Sequence, residues 1–153
     1  MRDQITVSCL WFQREAKEAA ETYCEIIPDS RIHHVVEAPE GHPLGKGTPM
    51  AVQFEIGGVV YLALNGREEN GFNHSFSICV NCDTQAEIDR LWEKLSAGGK
   101  EGRCGWLSDR FGVHWQVVPR EMAELMQNPK AAMALMDMTK IDVAALKAAG
   151  KDS

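Results

Sequence analysis

Two stretches decide how this chain is read: "SCLWFQREAKEAAETYCEII", Ser8 to Ile27, and "SICVNCDTQAEIDRLWEKLS", Ser77 to Ser96. Laid over each other with a shift of 69 residues, Ser8 falls on Ser77, Glu18 on Glu87, Ala19 on Ile88, Tyr23 on Trp92 and Ile26 on Leu95. Each copy opens as an apolar strand, breaks at polar residues and continues as an amphipathic helix. In the second copy Ile88, Leu91, Trp92 and Leu95 recur at helical spacing. Asp83 or Thr84 can cap that helix, and Glu87 stands three residues after Thr84 as in a capping box. Pro28 and Gly98-Gly99 stop the two helices.

Working outward, each helix is followed by further strands. The first half offers "SRIHHVVEA" (Ser30–Ala38), "MAVQFEI" (Met50–Ile56) and "VVYLALN" (Val59–Asn65), with Gly57-Gly58 as a tight hairpin between the last two. The second half offers a shorter strand around Gly102 to Leu107 and then "VHWQVVP" (Val113–Pro119). Asp109-Arg110-Phe111-Gly112 joins these two as a turn. It is not read as a kinase magnesium motif, because no glycine-rich loop or HRD sequence accompanies it. A strand, a helix and a meander of strands therefore occur twice. Turns this short rule out a doubly wound parallel sheet. The stretch "APEGHPLGKGTP", Ala38 to Pro49, reads as a mobile flap or as an arm that packs on a neighbour. From Arg120 the pattern is helical. Met122, Leu125 and Met126 form one stripe, Met133 and Met136 a second, and Ile141, Ala145 and Leu146 a third. All three read as core or dimer-contact positions.

The chain has 153 residues, enough for one domain with a sizeable core. Its net charge of −6 and the lack of any Lys/Arg run argue against a nucleic-acid or membrane partner. The start lacks the apolar core of a signal peptide and no segment is long enough to span a membrane, so a cytoplasmic protein is expected. The five cysteines are then reduced thiols. Cys79-x-x-Cys82 lacks the second pair that a structural zinc site needs, and both thiols are expected to be buried in a strand.

The motifs "LWF" (Leu10–Phe12), "YCEIIPDSRI" (Tyr23–Ile32), "LALNG" (Leu62–Gly66), "VNCDTQAEIDRLWEKLSAGG" (Val80–Gly99) and "CGWLSDRFGVHWQVVP" (Cys104–Pro119) together resemble one family. It is the PhnB-like subfamily labelled 3-demethylubiquinone-9 3-methyltransferase. That subfamily lies in the vicinal oxygen chelate superfamily, with glyoxalase I, the extradiol dioxygenases and the bleomycin-resistance proteins. The resemblance extends into the tail "MDMTKIDVAALKAA". It implies an α+β fold of two βαβββ modules forming a curved, half-open mixed sheet. The expected organisation is a single glyoxalase/bleomycin-resistance-like domain over residues 1–153, with module one about 4–66, module two about 74–119 and a helical tail about 120–150. A homodimer is expected. The methyltransferase label finds no support in the residues: no glycine-rich turn follows a parallel strand and no run of alternating βα units exists.

Superfamily enzymes hold one divalent metal with His, Glu or Gln, two from each module, and use it as a Lewis acid. The resemblance places those positions near Val7 or Ser8, near Tyr61, near Phe76 or Ser77, and at Gln116. Only Gln116 ligates readily, so no metal and no cofactor are expected. His74 lies slightly upstream of a ligand position and reads as a surface histidine, and His33 and His34 are strand neighbours that cannot share one ion. Alternation along "VHWQVVP" puts Val113, Trp115 and Val117 on one face and His114, Gln116 and Val118 on the other. Polar groups alternate similarly at Thr6 and Ser8, Gln53 and Glu55, Tyr61 and Asn65, and Ser75 and Ser77. A concave face bearing such groups suits a small organic molecule. The candidate ligand-binding residues are Gln116, Trp106, Tyr61, Asn65, Glu55 and His74. Competing functions are a metal-dependent lyase, isomerase or dioxygenase using Gln116, His74 and Glu55, and a non-catalytic sequestering protein. A sequestered cationic drug would favour Glu55 and the negative net charge.

Overall fold

The computed structural model describes residues 4–66 and 71–151, and the chain divides into two units at the Gly71–Phe72 bond. In the first, the elements are β1 (Ser8–Phe12), α1 (Ala16–Ile26), β2 (Arg31–Glu37), β3 (Pro49–Ile56) and β4 (Val59–Asn65). They form a four-stranded mixed sheet in the order β1-β4-β3-β2, with β1 parallel to β4 and the other pairs antiparallel. In the second unit, β5 (Ile78–Cys82), α2 (Gln85–Ser96), β6 (Lys100–Glu101), β7 (Trp106–Ser108) and β8 (His114–Pro119) repeat the plan in the order β5-β8-β7-β6. Each sheet is open, with two edge strands. The expected pair of βαβββ modules is what the chain forms. No helix among the described residues is long and apolar enough to cross a membrane.

Each helix covers one face of its own sheet. Tyr23 on α1 and Phe54 on β3 are wholly buried, with ring centroids 6.3 Å apart. On α2, Ile88, Leu91, Trp92 and Leu95 are the buried residues, as their spacing predicts. The Trp92 indole still finds a partner, donating to Glu101 Oε1 at 2.8 Å. The helix starts differ. In α2, Thr84 Oγ1 accepts from Glu87 N and the Glu87 carboxylate accepts from Asp83 N, which is a local capping box. In α1 no local side chain caps the helix. Asn65 Oδ1, at the end of β4, accepts from Ala16 N at 2.9 Å instead.

The strand-to-helix connection is one residue shorter in the second module, because Phe12 is followed by a helix at Ala16 but Cys82 by a helix at Gln85. The helices therefore match at the sequence shift of 69 and the strands at 70. Burial shows it: Leu10 and Phe12 face α1 as Val80 and Cys82 face α2, while Cys9 and Cys79 are exposed. The pairing of Ser8 with Ser77 is corrected accordingly, since a one-residue slip exchanges the faces of a strand. Cys79 is likewise corrected from buried to exposed, and it points away from Cys82. Burial, with smaller contributions from Glu87 and Asp83, pushes the Cys82 thiol up to about 11.

Two further expectations change. The segment from Ala38 to Pro49 is not a free flap. Ala38 N donates to Thr48 O and Gly47 N to Ala38 O, closing the loop at its base, and Leu44 is buried beneath it. The tail forms α3 (Met122–Leu125), α4 (Pro129–Leu135) and α5 (Val143–Lys151). Ile141 and Leu146 are core, packed on Val118, while Met133 and Met136 are 65% and 58% exposed, which removes the core alternative for them and leaves the dimer-contact one. The tail is stitched to module two by main-chain bonds from Cys104 N to Met138 O and Gly105 N to Thr139 O. Gly105 permits this approach: its φ is +83°, and a Cβ there would stand 2.8 Å from Ile141 Cδ1.

Candidate functional site

Sheet register fixes which side chains share the face that no helix covers. In module two the cross-strand partners are Lys100, Ser108 and His114 in one row, and Trp106, Gln116 and Cys79 in the next. Trp115 lies on the opposite, helix-covered side, wholly buried. Its indole donates to Asp109 Oδ2 at 2.8 Å, while Asp109 Oδ1 accepts from Phe111 N and Val113 N and so holds the Asp109–Gly112 turn. Gln116 is half-buried on the open face and its amide donates to Ser77 Oγ at 3.0 Å. His74 is exposed, with its ring 4.4 Å from His114 and 6.2 Å from Trp106, centroid to centroid. His74, Trp106 and His114 line a cavity of about 580 Å³ that extends past Ser108 to Lys100 and Gly99. Burial and the neighbouring His74 pull the His114 imidazole below the ordinary histidine value, against a smaller upward pull from Asp109.

In module one the open face carries Cys9, Trp11, Gln53, Glu55, Leu62 and Leu64. Glu55 is there, as expected of a polar face residue. It is already engaged: Arg31 Nε lies 3.2 Å and His33 Nε2 2.8 Å from Glu55 Oε2. The His33 hydrogen bond, helped by Arg31, holds the Glu55 carboxyl below its usual range. A register shift between Ile32 and His34 turns His33 toward it.

Tyr61 and Asn65 are corrected. Tyr61 pairs with Phe54 on the helix side, with rings stacked at 5.7 Å, and burial raises its phenol pKa. Asn65, further along the same face, caps α1 and donates to Pro49 O at 2.8 Å. Both belong to the scaffold of module one. So within module two the structure brings together His74, Trp106 and Gln116, and adds Lys100, Ser108 and His114, which were not among the candidate residues. His114 was legible from its alternation with Gln116. Lys100 was not, because β6 has only two residues.

The model of the 3-demethylubiquinone-9 3-methyltransferase family matches residues 4–118. The chain belongs to that family. The PhnB protein of Bacillus cereus is 26% identical, with a TM-score of 0.69 over 75% of this chain and 99% of its own. A Pseudomonas aeruginosa protein is 24% identical, with a TM-score of 0.65 over 76% of this chain and 98% of its own. The fosfomycin resistance protein FosX of Mesorhizobium loti is 17% identical, with a TM-score of 0.57 over 83% and 99%. These likenesses place the family in the vicinal oxygen chelate fold. No curated protein matches the chain. The family match stops at residue 118, so the tail lies outside it.

The positions at which the superfamily holds its divalent ion carry a donor set here that does not fit it. Ser8 and Tyr61 are cross-strand partners on the helix side of module one. Val7 has no side-chain atom that could ligate. That leaves Gln116, whose amide nitrogen donates to Ser77 Oγ, as the one ready ligand of the set. Among the described residues no three His, Cys, Asp or Glu side chains gather where they would hold a metal ion. The family's name implies methyl transfer, yet neither β1 nor β5 runs into its helix through a glycine-rich turn: the connections are Gln13-Arg14-Glu15 and Asp83-Thr84.

Proposed function

We propose that the protein binds a small organic molecule against the open face of module two and does so without the superfamily's divalent ion. The observation that carries this is the 580 Å³ cavity lined by His74, Trp106 and His114, on the face that also presents Gln116. A cavity of that size with one indole and a few convergent polar groups is suited to a small ligand. Asp109 holds the Trp115 indole beneath this face and Ser77 holds the Gln116 amide on it, which supports a pre-organised site. Nothing in this reading calls on S-adenosylmethionine, in keeping with the glycine-free strand-to-helix connections.

A thermal-shift screen of small acids, amines and neutral aromatics tests the reading, with Trp106→Ala and Gln116→Ala run beside the natural chain. Hits that stabilise the natural protein and fail on both variants are expected. Hits that stabilise all three proteins equally would remove the site from module two. Homodimerisation belongs to the same reading and is supported by the exposed Met133 and Met136 at α4, which suit an interface. Sedimentation equilibrium giving one chain per particle would remove that part.

A further inference from the structure

The carboxylates and the lysine that border this cavity lie on different faces of the sheet. Four charged side chains border the cavity: Lys100, Glu101, Asp109 and Arg110. The two carboxylates are both turned to the helix side and both engaged. Glu101 pairs across the sheet with Leu107 and accepts from the Trp92 indole. Asp109 is 5% exposed and accepts from two backbone N–H groups and the Trp115 indole. Lys100, by contrast, stands on the open face in one row with Ser108 and His114. That row offers an ammonium, a hydroxyl and an imidazole, with the His74 ring above it. The neighbouring row offers a flat apolar surface, the Trp106 indole, beside the Gln116 amide.

We infer that the module-two site takes a small organic anion with a planar apolar body, its acidic group on the Lys100–Ser108–His114 row and its body against Trp106. This rests on the proposed function above and adds the chemical class of ligand. An ammonium and neutral donors without a competing carboxylate on the same face stabilise an anion, while a cation there meets Lys100 with no counter-charge. The net charge of −6 for the whole chain does not oppose this, because screening limits distant charges to about 8–10 Å at physiological salt.

Benzoate, benzamide and benzylamine share one ring and differ in charge, so they serve as probes. Binding is followed by isothermal titration and by the indole N–H signals in a proton–nitrogen NMR spectrum, with Trp106 assigned through Trp106→Phe. Benzoate is expected to bind about tenfold or more tighter than benzamide, to shift the Trp106 signal, and to exceed benzylamine by more. Lys100→Met should erase the preference for benzoate over benzamide while leaving the melting temperature unchanged. Equal or tighter binding of benzylamine overturns the inference, as does a benzoate preference that survives Lys100→Met. Benzoate that fails to bind at millimolar concentration also overturns it. In that case a neutral hit that needs Trp106 in the thermal-shift screen would leave the parent reading intact.

Discussion

Trp115 and Gln116 are neighbours in sequence, yet one is wholly buried with its indole on Asp109 and the other is bonded to Ser77 on the open face. Their substitutions should separate cleanly. Trp115→Ala removes a large buried ring and leaves Asp109 Oδ2 without that donor, and should cost about 3–5 kcal/mol. Gln116→Ala removes one partly exposed hydrogen bond and should cost less than about 1 kcal/mol. Urea denaturation checks both. Similar losses for the two would mean that the faces of β8 are misassigned. His114 gives a pH signature. Its imidazole is held below the ordinary value in the folded chain, so the unfolded chain takes up the proton first as pH falls. Its contribution is complete above an ordinary histidine pKa near 6.5 and is lost below it, until the folded imidazole also protonates. The natural protein should therefore lose more stability than His114→Gln between about pH 7.5 and 5.5. Equal losses in the two proteins would rule His114 out.

The two helices occupy equivalent places but are capped by different means. Thr84→Ala should cost about 0.5–2 kcal/mol, as for other N-caps. Asn65→Ala strips the cap of α1 and the bond to Pro49 O together, and should cost at least as much. Chemical denaturation of both variants would decide it, and an inert Asn65→Ala would show that α1 needs no remote cap. How far such details were legible depends on polarity contrast. The α2 pattern was plain, because Ile88, Leu91, Trp92 and Leu95 stand among charged residues. The phase of "VVYLALN" was not, since nearly every residue in it is apolar and only the pairing with Phe54 decides which side Tyr61 takes. The same lack of contrast hid the slip between the two first strands. Gln116 could be placed because Trp115 beside it is too large to leave in water without loss. Lys100 could not, because a two-residue strand has no periodicity to read.

The family match ends at residue 118, and the helical tail beyond it is bound into module two. Val118 meets Ile141 and Leu146, and Gln85 at the start of α2 both donates to Ile141 O and accepts from Val143 N. A chain cut after Arg120 should unfold at lower urea concentration and bind an apolar dye such as anilinonaphthalene sulfonate, because Val118 loses its cover. An unchanged midpoint would show that module two closes without the tail. The remote cap on α1 also has a consequence in time. During synthesis α1 leaves the ribosome well before the residue that completes it, which lies 49 positions later in the chain. Until β4 has emerged and paired, the first turn of α1 has no partner for its leading N–H and stays frayed. Helix α2 carries its own cap within four residues and can nucleate as soon as it appears. Helix α1 is therefore complete only when its whole module is, whereas α2 is capped from within its own first turn.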